Sequence, residues 1–366
     1  MFITVAIFII TLLILVIVHE LGHFLMAKRF GIKVEEFGFG IPPRAWGKKI
    51  GETIYSINWL PFGGFVKLLG EDETDEKVLK NKDSFAAQKV WKRIMVVIAG
   101  VTMNLVMAWV LFYIVLLVQN FRIIYPTPDP IVQVVEAQKG LPAENSGIKS
   151  GERLLVINDQ FINSVGQSKE IIKNNAGKKL KLVLSDLDGN NLRTVFVTPQ
   201  NFDGQVIIGV VFSQIGFREY KTPVEKIFSG ITYSWDLTRL SFIGLGKLIS
   251  DISHGQLSAA SKSVAGPVGL ATITNSILSQ GLEAAIPYLW FTGVISLTLA
   301  IMNFLPIPAL DGGRLLFLYI EAITRRKVKP EIERYIHAAG FALLITLMLL
   351  VTMSDIRKLI LGNPFF

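Results

Sequence analysis

Residues 2–26 read FITVAIFIITLLILVIVHELGHFLM. Nothing before His19 is charged, and the run has the length, about 20 residues, that a helix needs to cross a bilayer. It has no basic start and no small-residue cleavage site, so it reads as a retained span and not as a removed signal peptide. The span closes on His19-Glu20-Leu21-Gly22-His23. Ionisable groups at membrane depth are expensive and mark function. On a helix, positions i and i+4 share one face, so both imidazoles reach one ion. Glu20 lies about 100° round the helix from His19, placed to take a proton from water that the ion activates. With 4 histidines and 17 glutamates in 366 residues, random placement yields roughly 0.002 such motifs.

Outward from this segment, the chain keeps its membrane character. Half of it, 51%, is hydrophobic, and the mean hydropathy is +0.48. The net charge is +8, but the bases flank apolar runs and form no single stripe, which argues for a lipid bilayer as partner and against nucleic acid. There is no cysteine, so a metal must be held by His, Asp or Glu. Three more spans are expected at 94–118, 288–305 and 335–354. The stretch 227–250 carries Asp236, Arg239 and Lys247 and reads as an amphipathic helix on the membrane surface. Basic residues crowd the loops 28–93 and 314–334. The positive-inside rule puts those loops in the cytoplasm, with both termini and the long polar stretch 121–222 outside.

The stretches 54–60 and 65–69 are β-forming, and Pro61-Phe62-Gly63-Gly64 between them reads as a turn. This predicts a membrane-associated β-hairpin within 50–70. The acidic run 71–76 reads as a solvated loop. Strands at 131–135, 180–184 and 192–197 with a helix at 168–173 predict a mixed α/β module outside the membrane. Gly266-Pro267-Val268-Gly269 reads as a turn ahead of span three. The division is therefore 1–120, first half of the membrane core; 121–205, the outer module; 206–286, a linker with the surface helix; and 287–366, the second half of the core.

A hydrolytic zinc site needs three protein ligands and an open position for water. Candidates for the third are His254, His337 and the carboxylates. Asp311 is favoured: it follows an uncharged span broken by Pro306 and Pro308 and is followed by Gly312 and Gly313. Broken backbone at membrane depth survives only where it is buried or lines a cavity. Spans one and three both run outside to inside, which brings His19, His23 and Asp311 to the same depth. Depth alone does not separate His337 from Asp311. Asn303 and Asn104 are polar groups in apolar spans, suited to hydrogen-bond a substrate backbone or a developing oxyanion, or else to link helices.

The pairing of His-Glu-x-x-His with Asn303-Phe-Leu-Pro-Ile-Pro-Ala-Leu-Asp311-Gly312-Gly313 resembles the site-2 protease family, and within it the bacterial RseP/RasP type. Gly100-Val-Thr-Met-Asn104 is similar to that family's Gly-x-x-x-Asn element, and Leu141-Pro-Ala-Glu-Asn-Ser-Gly147 through Ile157-Asn158 is similar to the core of a bacterial PDZ domain. The resemblance covers nearly the whole chain. It implies a polytopic α-helical membrane protein of the bacterial inner membrane with one extracytoplasmic PDZ-like domain. It also implies a zinc cofactor and cleavage of single-span membrane proteins, such as anti-sigma factors and signal-peptide remnants. Two other classes compete. A catalytically silent receptor or chaperone would have no need of the full set His19, Glu20, His23 and Asp311. An ion transporter would not need Glu20 and would be expected to carry inverted repeats.

Overall fold

The computed structural model describes residues 2–71, 75–79, 81–124, 131–187, 189–202, 205–214, 216–255, 265–326, 328 and 330–360. Half of the acidic run 71–76 (72–74) therefore lies outside the described residues. The chain divides into two compact units, one formed by Met1–Val115 with Leu248–Phe366 and the other by Leu116–Lys247.

In the first unit, four helices are long and apolar enough to cross a bilayer. Span one is Phe2–Arg29 and span two begins at Val90 and runs to Val118. Span three is Ala285–Phe304, entered through a short 3-10 turn, and span four is Pro330–Ile360. Uninterrupted apolar sequence makes each a helix, since every backbone group must be satisfied internally in lipid. Span one stops where Lys28 and Arg29 meet its negative dipole end and Gly31 takes a left-handed φ of 72°. Span three stops at Pro306, and the chain restarts as the helix Asp311–Thr324.

The β element differs from the hairpin read within 50–70. It pairs Val34–Ile50 with Thr53–Leu68 and turns at Gly51-Glu52. Val34–Phe39 is its central strand. Phe37 pairs with Val66 on one side and Tyr55 on the other, and Phe39 likewise with Gly64 and Ile57. The segments around Tyr55 and Val66 therefore flank a common partner instead of each other. Pro61–Gly64 carries the chain from one side of that partner to the other. Among the described residues, the segment Gly64–Leu68 pairs on one side only, so its second edge stays open.

A second departure is Pro267–Leu278. Gly266-Pro267 begins a twelve-residue apolar helix and not a turn, with Pro267 at a position where a missing N–H costs nothing. Its cap comes from span four: the buried Asp355 Oδ2 accepts from the N–H groups of Gly266 at 2.9 Å and Gly269 at 2.8 Å. Phe8 and Leu15 of span one pack with Phe291 and Ile295 of span three, with Leu270 and Ile273 of the new helix against them.

The second unit has its own core. A six-stranded sheet runs in the order Val210–Ser213, Val132–Ala137, Arg153–Ile157, Leu180–Ser185, Arg193–Val197, with Gln160–Phe161 beside Arg153–Ile157. All pairings are antiparallel. The helix Val165–Asn174 starts at Ser164, whose hydroxyl accepts from Gln167 N at 3.1 Å. Leu154, Ile157, Leu180, Leu182 and Leu184 are fully buried beneath it. The sheet continues beyond residue 205: Ile208 is in the core and Val210–Ser213 pairs with Val132–Ala137. Sequence reading ended the module early because that strand closes the sheet against a segment some seventy residues before it, which leaves no local signal. The helix Ser229–Ser253 exposes Trp235, Phe242 and Ile249, while Asp236 is tied to Arg218 at 2.6 Å.

Candidate metal centre

Three spans and a broken turn build one cluster. His19 and His23 stand one helical turn apart with their Nε2 atoms 3.2 Å from each other. Asp311, first residue of its helix, brings Oδ2 to 2.9 Å from His19 Nε2 and 3.2 Å from His23 Nε2. Among the described residues this is the one group of three or more metal-ligating side chains close enough to share an ion.

The ring nitrogens facing away from the cluster fix which atoms can bind. His23 Nδ1 lies 2.9 Å from the Val96 carbonyl, so it carries the proton and donates it. His19 Nδ1 meets the side-chain amide of buried Asn104 at 3.3 Å. The two ends of an amide are interchangeable in position. With Oδ1 on His19 Nδ1–H, both Nε2 atoms are left as lone-pair acceptors. Three acceptors then converge with no proton between them, an arrangement that a cation relieves. A tetrahedral zinc with bonds of about 2.0–2.1 Å sets neighbouring ligands about 3.3 Å apart, close to the separations found here. Two imidazoles and one carboxylate are a zinc donor set that leaves a fourth position open. The residues fit the metal.

Small residues make the cluster possible. A Cβ on Gly100 of span two would sit 2.3 Å from His23 Nε2 and 2.9 Å from His19 Cε1, inside the contact distance of both rings. At the break, a Cβ on Gly312 would lie 1.9 Å from the Leu305 carbonyl oxygen, and one on Gly313 would lie 2.7 Å from that of Ile307. The Asp-Gly-Gly sequence is thus what lets a helix start directly against the end of span three and present Asp311 inward.

Glu20 lines a cavity of about 200 Å³ together with His23, Phe65, Val66 and Asp311. Gly64, at the start of the open-edged strand, is packed beside its Cγ. Arg314 and Glu71 form an ion pair in the wall of the same cavity. Glu71 is thereby a correction: it was read as part of a solvated loop, yet it is largely buried against Arg314. Arg314, one turn after Asp311 on the same helix, was the available signal. Asn303 sits half-buried in the last turn of span three and is not in the cluster. His254 is exposed and bonds Ser250 O at 2.8 Å. His337 accepts from Ala309 N at 3.0 Å through Nδ1 and is not in the cluster.

Peptidase family M50 matches residues 7–347. The chain belongs to this family. Like its relatives, this M50 peptidase is a zinc metalloprotease. It is 31% identical to zinc metalloprotease RasP of Geobacillus kaustophilus across 95% of this chain and 96% of that one. It is 29% identical to the regulator of sigma-W protease RasP of Bacillus subtilis across 98% of this chain and 99% of that one. A solved structure, the PDZ domain of an SdrC-like protein from Listeria monocytogenes, aligns with 24% of this chain and 90% of its own, at a TM-score of 0.21 and 17% identity.

Proposed function

We propose that this M50 peptidase hydrolyses peptide bonds within or near the spans of single-pass membrane proteins, with His19, His23 and Asp311 holding zinc and Glu20 as general base. The observation that carries the reading is the convergence of His19 Nε2, His23 Nε2 and Asp311 Oδ2, each within 3.2 Å of the other two, beside a cavity that Glu20 lines. Bound there, zinc supplies the Lewis acidity that makes water a nucleophile at neutral pH. Glu20 takes the proton of the attacking water and hands it to the leaving amine. Asn104 serves His19 by holding its tautomer, which favours the helix-linking alternative over substrate contact. Asn303 is assigned to the substrate backbone or the developing oxyanion.

A membrane-spanning substrate must unwind before it is cut, and freed backbone groups cost several kcal/mol each in lipid. The open edge of Gly64–Leu68, which runs along the Glu20 cavity, supplies replacement hydrogen bonds by adding the substrate as a strand. In the second unit, a groove of about 480 Å³ between Lys169–Lys173 and Ile207–Val210 suits an extended peptide end beside two lysines. The substrate class is anti-sigma factors and signal-peptide remnants, supported by the sigma-W regulation named for the Bacillus subtilis relative. The basic loops 28–93 and 314–334 are cytoplasmic, with the PDZ-like unit and both termini outside.

The test is cleavage of a single-span reporter by purified full-length protein. The wild type should cut it, and Asp311→Ala should lose both cutting and zinc. Zinc retained at wild-type occupancy by Asp311→Ala would contradict the ligand set. Orientation is checked with single cysteines at Lys82 and Asn190: only the second should react with an impermeant thiol reagent in intact cells.

A further inference from the structure

Asp311 is delivered by a turn with an unfavourable backbone. Ala309, two residues before it, has φ of 79°, the left-handed region in which a residue with a Cβ is strained. Leu310 caps the following helix without any side-chain bond. Something outside the turn must hold it, and span four does. His337 Nδ1 accepts the Ala309 N–H at 3.0 Å. One turn further along, Gly340 lies so close to the turn that a Cβ there would be 2.4 Å from Pro308 Cβ. The His337 ring is kept over the turn by Phe317, 5.7 Å away between centroids, on the Asp311 helix itself.

Ordinary core packing does not account for this contact. Only 6% of the apolar window of span four is buried within the protein, against 39% for spans two and three. A helix so little packed nevertheless places a histidine and a glycine on the two residues that set the direction of Asp311. Sequence reading weighed His337 as a rival ligand; the geometry gives it a different task.

We propose that His337 is a positioning residue for the metal centre: through Ala309 it clamps the turn that aims Asp311 at His19 and His23. This rests on the ligand set assigned above. The clamp needs an acceptor at the place of Nδ1 and nothing else from the ring. Asparagine carries its Oδ1 close to that place, whereas glutamine carries its acceptor farther out, near that of Nε2. Glycine at 309 tolerates the left-handed φ on its own and should need the clamp less.

The experiment measures zinc affinity of the full-length protein by competition with a chromophoric chelator, independent of turnover. His337→Ala and His337→Gln should bind zinc at least about 10-fold more weakly, in the range seen for residues that orient metal ligands. His337→Asn should recover most of the loss, and Ala309→Gly should recover part of it in the His337→Ala background. Equal affinity in all three His337 variants and the wild type overturns the clamp. Equal weakening in all three, with no recovery by Ala309→Gly, also overturns it, pointing to a ligand or to bulk packing. Should His337→Ala fail to fold, the ordering of His337→Asn above His337→Gln still decides. The ligand set fails separately, if Asp311→Ala keeps its zinc.

Discussion

The two units of this chain are held together by different physics. The sheet unit, Leu116–Lys247, buries a continuous set of aliphatic side chains, among them Leu154, Leu182 and Leu184 at 1% exposure or less. The membrane unit buries smaller apolar clusters, leaves many large apolar side chains facing outward, and also fastens its helices at a few polar points. Thr11 bonds Tyr288 at 2.6 Å, Ser296 Oγ donates to Asn104 O at 2.8 Å, and Asp355 caps a neighbouring helix. The reason is the solvent. In water, removing apolar surface drives packing. In lipid the surroundings are as apolar as leucine, so helices are fixed by close approach of small residues and by hydrogen bonds. The candidate metal centre is built from that second vocabulary: Gly100, Gly312 and Gly313 permit approach, and Val96 O and the Asn104 amide bond the outward ring nitrogens.

The sharpest way to break this comparison is a single methyl group. Gly100→Ala drives a Cβ into the His23 and His19 rings, so zinc should be lost through purification while the sheet unit keeps its protection from hydrogen exchange. Leu154→Ala is the converse. It should destabilise the sheet unit by about 2–5 kcal/mol, seen as faster exchange across its strands, and leave zinc content unchanged. Smaller effects should then separate by chemistry and not by size of side chain. Ser296→Ala removes one buried inter-helix bond and should cost about 0.6 kcal/mol, measured by unfolding in detergent. Leu347→Ala, on the exposed face of span four, should stay within about 0.5 kcal/mol in the same assay. A Leu347 effect exceeding that of Ser296 would overturn the division.

What sequence reading reached and what it missed follow the same line. The four spans and the candidates His19, Glu20, His23 and Asp311 were legible because each rests on local pattern: length, i to i+4 spacing, and a broken span followed by two glycines. The β element was misread because its central strand, Val34–Phe39, is contributed from before the segment that looked self-sufficient. Val210–Ser213 was missed for the same non-local reason. The Pro267–Leu278 helix was hidden by Gly266-Pro267, which is equally a turn signal and a helix start; the deciding group, Asp355, is eighty-nine positions away from Gly266. Glu71 looked like one member of a charge run until Arg314 was placed beside it.

The central claim is that Glu20 moves protons and the other three residues hold the metal. Glu20→Gln keeps the size and a hydrogen-bonding end but cannot accept the proton. Zinc content and single-turnover cleavage of a single-span reporter, measured on the same preparation, separate the two roles. Zinc should remain near wild type, with cleavage slowed by about 100- to 10,000-fold, the usual loss of general acid–base help. Zinc lost from Glu20→Gln, or cleavage near the wild-type rate with zinc retained, would contradict the account.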